Sequence, residues 1–173
     1  FDNASQTILG FEALIRGPEG HSLEFPDQLF KLAQEQELLS ELELACRNAA
    51  IQRFVQLETD AKLFLNVNPN VLKDESHPTG STLRLSELHG LAPERIIIEL
   101  SERYPIDDTY LLSEAIARYR ALGLRVAIDD LGAGYSGLKL WSELQPDFVK
   151  IDRYFIKELQ HDATKKEFVQ SII

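Results

Sequence analysis

The chain of 173 residues is 44% apolar, enough for one substantial core and hardly enough for two domains. Its 28 acidic side chains outnumber 18 basic ones for a net charge of −10, which argues against broad nucleic-acid binding, since that rests on a basic face neutralising phosphates. A small anionic ligand remains admissible if metal ions offset the carboxylates around it.

Residues 8–15 form an apolar, strand-like run, and Phe25-Pro26-Asp27 opens a helix to about Leu38, with Pro and Asp as start signals. A second helix from Leu42 to about Leu57 has apolar residues at the three- and four-residue spacings of a core-facing stripe. It includes Cys46, the single cysteine, whose apolar neighbours mark a small core residue rather than a nucleophile. One cysteine permits no internal disulfide, which fits a reducing, cytoplasmic compartment. Leu63 to Val67 reads as a strand ended by Pro69, and residues 73–80 as a loop.

A short helix from about Thr82 to His89 precedes the β-branched strand Ile96 to Leu100. Asp107 or Asp108 caps the next helix, and Gly123 stands at its C-terminus. Leu124 to Asp129 is a strand, followed by a Gly-rich loop, a helix over about Leu138 to Leu144, the strand Phe148 to Ile151, and a helical pattern from Tyr154 to the end. No apolar run approaches the about 20 residues of a membrane span, and no basic-then-apolar leader opens the chain. Alternating strands and helices predict parallel βα units with ligand groups at the carboxyl ends of the strands.

Glu12, Asn66, Glu99, Asp129 and Lys150 each lie in or at the end of a different apolar strand, where an unpaired charge is costly. All five are expected to be buried and to converge. Asp130 adds a second carboxylate next to Asp129, and two adjacent anions repel unless a cation holds them. An oxygen-only set of carboxylates and an amide suits Mg²⁺ or Mn²⁺ better than zinc, and His21, His77, His89 and His161 fall in loops or at helix ends. Gly132 to Gly137 spells G-x-G-x-x-G after a strand, a dinucleotide fingerprint read mechanically. Asp129 and Asp130 would then face a pyrophosphate that needs bare backbone N–H groups.

Phe11-Glu12-Ala13-Leu14-Ile15-Arg16 resembles the signature of the EAL domains. Asn66-Val67-Asn68-Pro69, Glu99-Leu100-Ser101-Glu102, Asp129-Asp130-Leu131-Gly132 and Lys150-Ile151-Asp152 resemble further blocks of that family, in its order. The resemblance implies a modified TIM-type (β/α)8 barrel that hydrolyses cyclic-di-GMP to 5′-pGpG with two Mg²⁺ or Mn²⁺ ions. It implies Glu12, Asn66, Glu99 and Asp129 on one ion and Asp129 with Asp130 on the other. Lys150 would stand beside the attacking water, with Glu12 and Asp130 in the catalytic set. Arg16, Leu14 and Asp152 would meet the substrate, and Glu102 would brace the loop after Asp130.

Lys150 and Arg16 also have a plainer reading as structural counter-ions. The spacing of four between Glu12 and Arg16 in a strand places both on one face, which favours the site. Leu131, Ser101 and Asn68 replace the family's usual Phe, Thr and Ser, all outside the metal ligands. A complete barrel needs about 250 residues, so residues 1–173 are expected to be a partial domain, weak or inactive alone. Its open sheet edges favour association between copies, and sensor or cyclase domains are expected elsewhere in the parent. The rival expectation is a non-catalytic cyclic-di-GMP receptor.

Overall fold

The computed structural model describes residues 5–68, 80–101, 109–134 and 137–172. Five strands, β1 (Gly10–Ala13), β2 (Lys62–Asn66), β3 (Ile96–Ser101), β4 (Arg125–Leu131) and β5 (Phe148–Ile151), pair in chain order, every pair parallel. The result is a curled parallel half-barrel, the expected α/β class in incomplete form. Because all strands run the same way, all their carboxyl ends open on one side.

The helices are α1 (Pro26–Glu35), α2 (Leu39–Val55), α3 (Ser81–His89), α4 (Thr109–Ala121), α5 (Gly137–Leu144), α6 (Arg153–Ile156) and α7 (Ala163–Ile172). Pro26 stands in the first turn of α1 with Asp27 beside it, as the start signals require. Gly123, at φ 87°, follows α4 and donates its N–H to Arg120 O at 2.9 Å. The tail departs from expectation: Glu158, at φ 60°, and a 3₁₀ turn over Leu159–His161 break the helical pattern between α6 and α7. The caps expected at Asp107 or Asp108 lie outside the described residues. Among those described, no helix is long and apolar enough to cross a membrane.

Strand side chains alternate between two layers. Leu63, Leu65, Ile96, Ile98, Val126 and Ile128 face outward into the main core, which also contains Ile51 and Phe54 of α2 and Leu112 and Ile116 of α4. Phe64, Ile97 and Ala127 form a second apolar group on the opposite face, with Phe148 packed against it. Gly10 belongs to this inner layer, for a Cβ there would lie 2.5 Å from Phe64 Cε2 and 2.7 Å from Lys62 O.

The stripe expected on α2 needs correction, because its buried residues are Glu43, Arg47, Ile51 and Phe54. The spacing is helical, but half the stripe is charged. An i, i+4 ion pair within the helix makes this burial tolerable, Glu43 Oε2 lying 3.5 Å from Arg47 Nη1. Cys46, one residue off the stripe, is half-buried, and burial with the adjacent Glu43 charge pushes its thiol up to about 11. That agrees with an unreactive role.

Gly132 is where the loop after β4 is fastened. Its φ is 99°, and a Cβ would lie 2.3 Å from Phe155 Cε2. The Phe155 ring cannot withdraw freely, since it stacks on Phe168 of α7 with centroids 4.0 Å apart. Gly132→Ala is expected to cost about 3 kcal/mol from overpacking and left-handed strain together. A chemical-denaturation midpoint lowered at constant m would register that loss, and an unmoved midpoint would refute it.

Candidate metal centre

Two residues beyond each member of the inner apolar layer comes a polar one. Gly10, Phe64, Ile97, Ala127 and Phe148 are followed at that spacing by Glu12, Asn66, Glu99, Asp129 and Lys150. The strand period of two places each pair on one face, so the expected residues form a polar layer above an apolar floor at the carboxyl ends. Direct pairing of Asn66 with Glu99 and of Ser101 with Asp129 carries this layer across the sheet.

Lys150 is its hub. Its Nζ lies 2.9 Å from Glu12 Oε2, 2.8 Å from Glu99 Oε1 and 3.2 Å from Asp129 Oδ1. Asn66 Nδ2 donates to Glu12 Oε1 at 3.0 Å. Glu12, Glu99 and Asp129 each present a carboxylate oxygen within 4.8 Å of the others. The expectation that all these groups are buried is corrected: Glu99 is fully buried, whereas the side chains of Glu12 and Lys150 are each 34% exposed and Asn66 is exposed. The half-barrel encloses its middle strand and leaves the outer positions open to water.

Burial raises the Glu99 carboxyl to about 7, even though Lys150 lowers it by hydrogen bonding and charge; Glu12 and Asp129 raise it further. Partial burial also pushes Glu12 up, but hydrogen bonds from Asn66 and Lys150 and the Lys150 charge outweigh it and hold Glu12 below its ordinary range. Burial would lower the Lys150 ammonium, yet Glu99, Glu12 and Asp129 raise it well above its ordinary value.

Glu99 Oε2 has no hydrogen-bond partner among the described residues. A buried carboxylate oxygen without a donor calls for a cation. Among the described residues the donors around it are oxygens with no imidazole or thiolate, a set suited to Mg²⁺, Mn²⁺ or Ca²⁺. The residues present therefore fit a divalent ion.

The backbone at Asp130 carries a device the sequence did not announce. Ile128 and Leu131 both enter the outer core although only Asp129 and Asp130 lie between them, and the pairing of β4 with β5 shifts register between them. One residue is thus inserted, and Asp130 takes φ 58°, a left-handed conformation that Asp tolerates better than most residues. Asp129 and Asp130 are consequently both kept out of the outer core and half-buried. Asp130 is not one of the three carboxylates converging within 4.8 Å.

The expected substrate residues separate. β1 ends at Ala13, so strand alternation does not extend to Arg16, and its four-residue spacing from Glu12 does not set its face. Arg16 is exposed, Nη1 donating to Ile15 O at 2.6 Å, and Leu14 is 62% exposed. Asp152 is buried and caps α6, its Oδ1 accepting from Tyr154 N at 2.7 Å. Glu102 lies outside the described residues. Sequence reasoning missed Glu43 and Arg47, although two opposite charges four apart inside a helical apolar stripe were a visible signal.

Against known families, the EAL domain model matches residues 1–173. The chain belongs to the EAL domain family. Among relatives of this EAL chain, the blue light- and temperature-regulated antirepressor BluF of Escherichia coli is 30% identical over 173 residues, covering 99% of this chain and 42% of BluF. The bifunctional diguanylate cyclase/cyclic di-GMP phosphodiesterase MucR of Pseudomonas aeruginosa is 31% identical over 170 residues, 96% of this chain and 25% of MucR. The EAL chain thus spans less than half the length of either relative. Klebsiella pneumoniae BlrP1, solved as a manganese/cy-diGMP complex, superposes with a TM-score of 0.86 at 29% identity, covering 98% of this chain and 43% of that one. BlrP1 has also been solved as a calcium/cy-diGMP complex. With the family established, the G-x-G-x-x-G match belongs to the EAL Asp-Asp loop rather than to a dinucleotide fingerprint.

Proposed function

We propose that this chain is the metal-binding part of a cyclic-di-GMP phosphodiesterase that opens its substrate to 5′-pGpG. The observation that carries the reading is the fully buried Glu99, one oxygen 2.8 Å from Lys150 Nζ and the other without a hydrogen-bond partner among the described residues, beside the carboxylates of Glu12 and Asp129. Glu12, Asn66, Glu99 and Asp129 would hold one Mg²⁺ or Mn²⁺, and Asp129 with Asp130 a second. Such ions, when bound, would lower the pKa of a water and offset the charge that develops on the phosphodiester.

The chain's own groups have defined tasks in this proposal. Lys150 keeps an ammonium next to the carboxylates and offers it where negative charge develops. Arg16, exposed just beyond β1, would meet a substrate phosphate together with Leu14 and Asp152, and the family resemblance assigns Glu102, outside the described residues, to bracing the loop after Asp130. Residues 1–173 form part of a longer domain, and β1 and β5, the edge strands among those described, favour pairing with a second copy. Fusion to sensor or cyclase domains and a cytoplasmic setting belong to the same proposal.

Likeness to BluF, an antirepressor, favours a second reading in which the domain binds cyclic-di-GMP and passes a conformational signal without hydrolysis. Turnover to 5′-pGpG with Mn²⁺, followed by chromatography, separates the two. A longer chain carrying the flanking sequence is expected to hydrolyse the substrate, and residues 1–173 to do so weakly. Ligand binding without product in either chain would establish the receptor reading instead.

A further inference from the structure

The metal centre makes no direct use of the charged pair that α2 buries. Glu43 and Arg47 are 4% and 2% exposed, and desolvation at such positions is costly enough that apolar residues of similar volume often serve a core as well or better. Burial raises the Glu43 carboxyl to about 7 in spite of Arg47. A helix that needed only to pack on the sheet would gain nothing from this arrangement.

Glu43 has a second contact, and it lies toward the site. Its Oε1 accepts a hydrogen bond from Asn68 N at 3.1 Å. Asn68 is two residues past the end of β2, just beyond the last bond to β3 among the described residues, Val67 N to Glu99 O at 3.0 Å. On the other side, pairing with β1 has already ended at Ala13 opposite Leu65. The exit of β2 therefore outruns both neighbouring ladders, and a buried carboxylate on α2 takes the N–H that the sheet has stopped serving.

We infer that Glu43 is a positioning residue for the metal centre: anchored by Arg47, it fixes the path of the chain leaving β2 and so the setting of Asn66. Asn66 in turn holds Glu12, its Nδ2 donating to Glu12 Oε1 at 3.0 Å. This inference rests on the metal-binding reading and extends it to a residue of the outer helical layer. Groups that orient metal ligands commonly govern affinity by about 10- to 100-fold without touching the ion.

Two variants of this chain test it, Glu43→Gln, which keeps an oxygen for the Asn68 N–H, and the double variant Glu43→Leu/Arg47→Met, which keeps the volume and removes the polar groups. Amide hydrogen exchange at Asn68 is measured without metal, Mn²⁺ affinity by calorimetry, and stability by thermal melting. The double variant is expected to melt within about 3 °C of the parent, exchange about 10-fold faster at Asn68, and bind Mn²⁺ about 10-fold more weakly. Glu43→Gln is expected to restore both to within about threefold of the parent.

Parent-like exchange and affinity in the double variant would overturn the inference. So would failure of that variant to fold, which would make the pair a requirement of the core, or a Glu43→Gln variant no better than the double. A parent that binds no Mn²⁺ would remove the metal reading and this inference with it, whereas equal binding by parent and variants would remove the inference alone.

Discussion

Asp129→Asn is expected to lower cyclic-di-GMP hydrolysis by on the order of 10³-fold, a loss of about 4 kcal/mol of transition-state stabilisation. The substitution preserves shape and one oxygen and removes a single negative charge. Among the described residues Asp129 belongs to the carboxylate group with Glu12 and Glu99, and the proposed reading makes it the one side chain shared by both ions. Its loss should therefore act on the first site and the second together. Turnover would be measured in the longer parent at saturating Mn²⁺, with metal affinity measured separately. Equal falls in kcat and kcat/KM would mark an interaction made in the transition state. Turnover within threefold of the parent would end the assignment of Asp129 to the metal site.

Without metal, the chain is expected to lose stability as pH rises from about 5 to 8. The Glu99 carboxyl is raised to about 7 by burial, as is that of Glu43, against about 4.3 for an unfolded glutamate. Between those values the folded state keeps a proton that the unfolded state has released, so stability falls with rising pH. The contribution is complete below the unfolded value and is lost as pH passes through 7. For Glu99 alone the part lost between pH 5 and 8 corresponds to about 3 kcal/mol, or roughly 6–12 °C in melting temperature for a chain of this size. Glu12, whose carboxyl is lowered, acts in the opposite sense, but at more acidic pH.

Glu99→Gln should remove about half of the decline, leaving the part due to Glu43. Mn²⁺ should stabilise the parent more at pH 8 than at pH 5, because protons compete with the ion for the same carboxylates. Melting curves across that range check both statements. A slope unchanged by Glu99→Gln would show that Glu99 is ionised in the folded state throughout.

Much of the fold was legible because the local patterns agreed with one another. The β-branched run at Ile96 to Ile98 became the fully buried middle strand β3, and the start signals at Pro26 and Asp27 opened α1 where expected. The failures share a cause. Apolar spacing alone leaves Glu43 and Arg47 out of the α2 stripe, whereas an opposite pair can be buried where neither member alone could be. Arg16 was placed on the face of Glu12 by a period that holds only inside a strand, and β1 stops at Ala13. The run after Tyr154 was read as one helix, and Glu158 in a left-handed conformation interrupts it.

The sequence by itself determined which residues would compose the polar layer. A polar residue in or at the end of each of five apolar strands is a local fact, and the period of two guarantees that each shares a face with the apolar residue two before it. Only the tertiary structure decided that these residues meet. Glu12 and Lys150 come from the first and last strands of the half-barrel, and nothing in local pattern sets the curl that brings their side chains to 2.9 Å. The same holds for the inserted residue that keeps Asp130 beside Asp129 and for Glu43 reaching Asn68. Propensity and periodicity act over a few residues, whereas stagger, curl and the ends of ladders arise from how whole strands lie against one another.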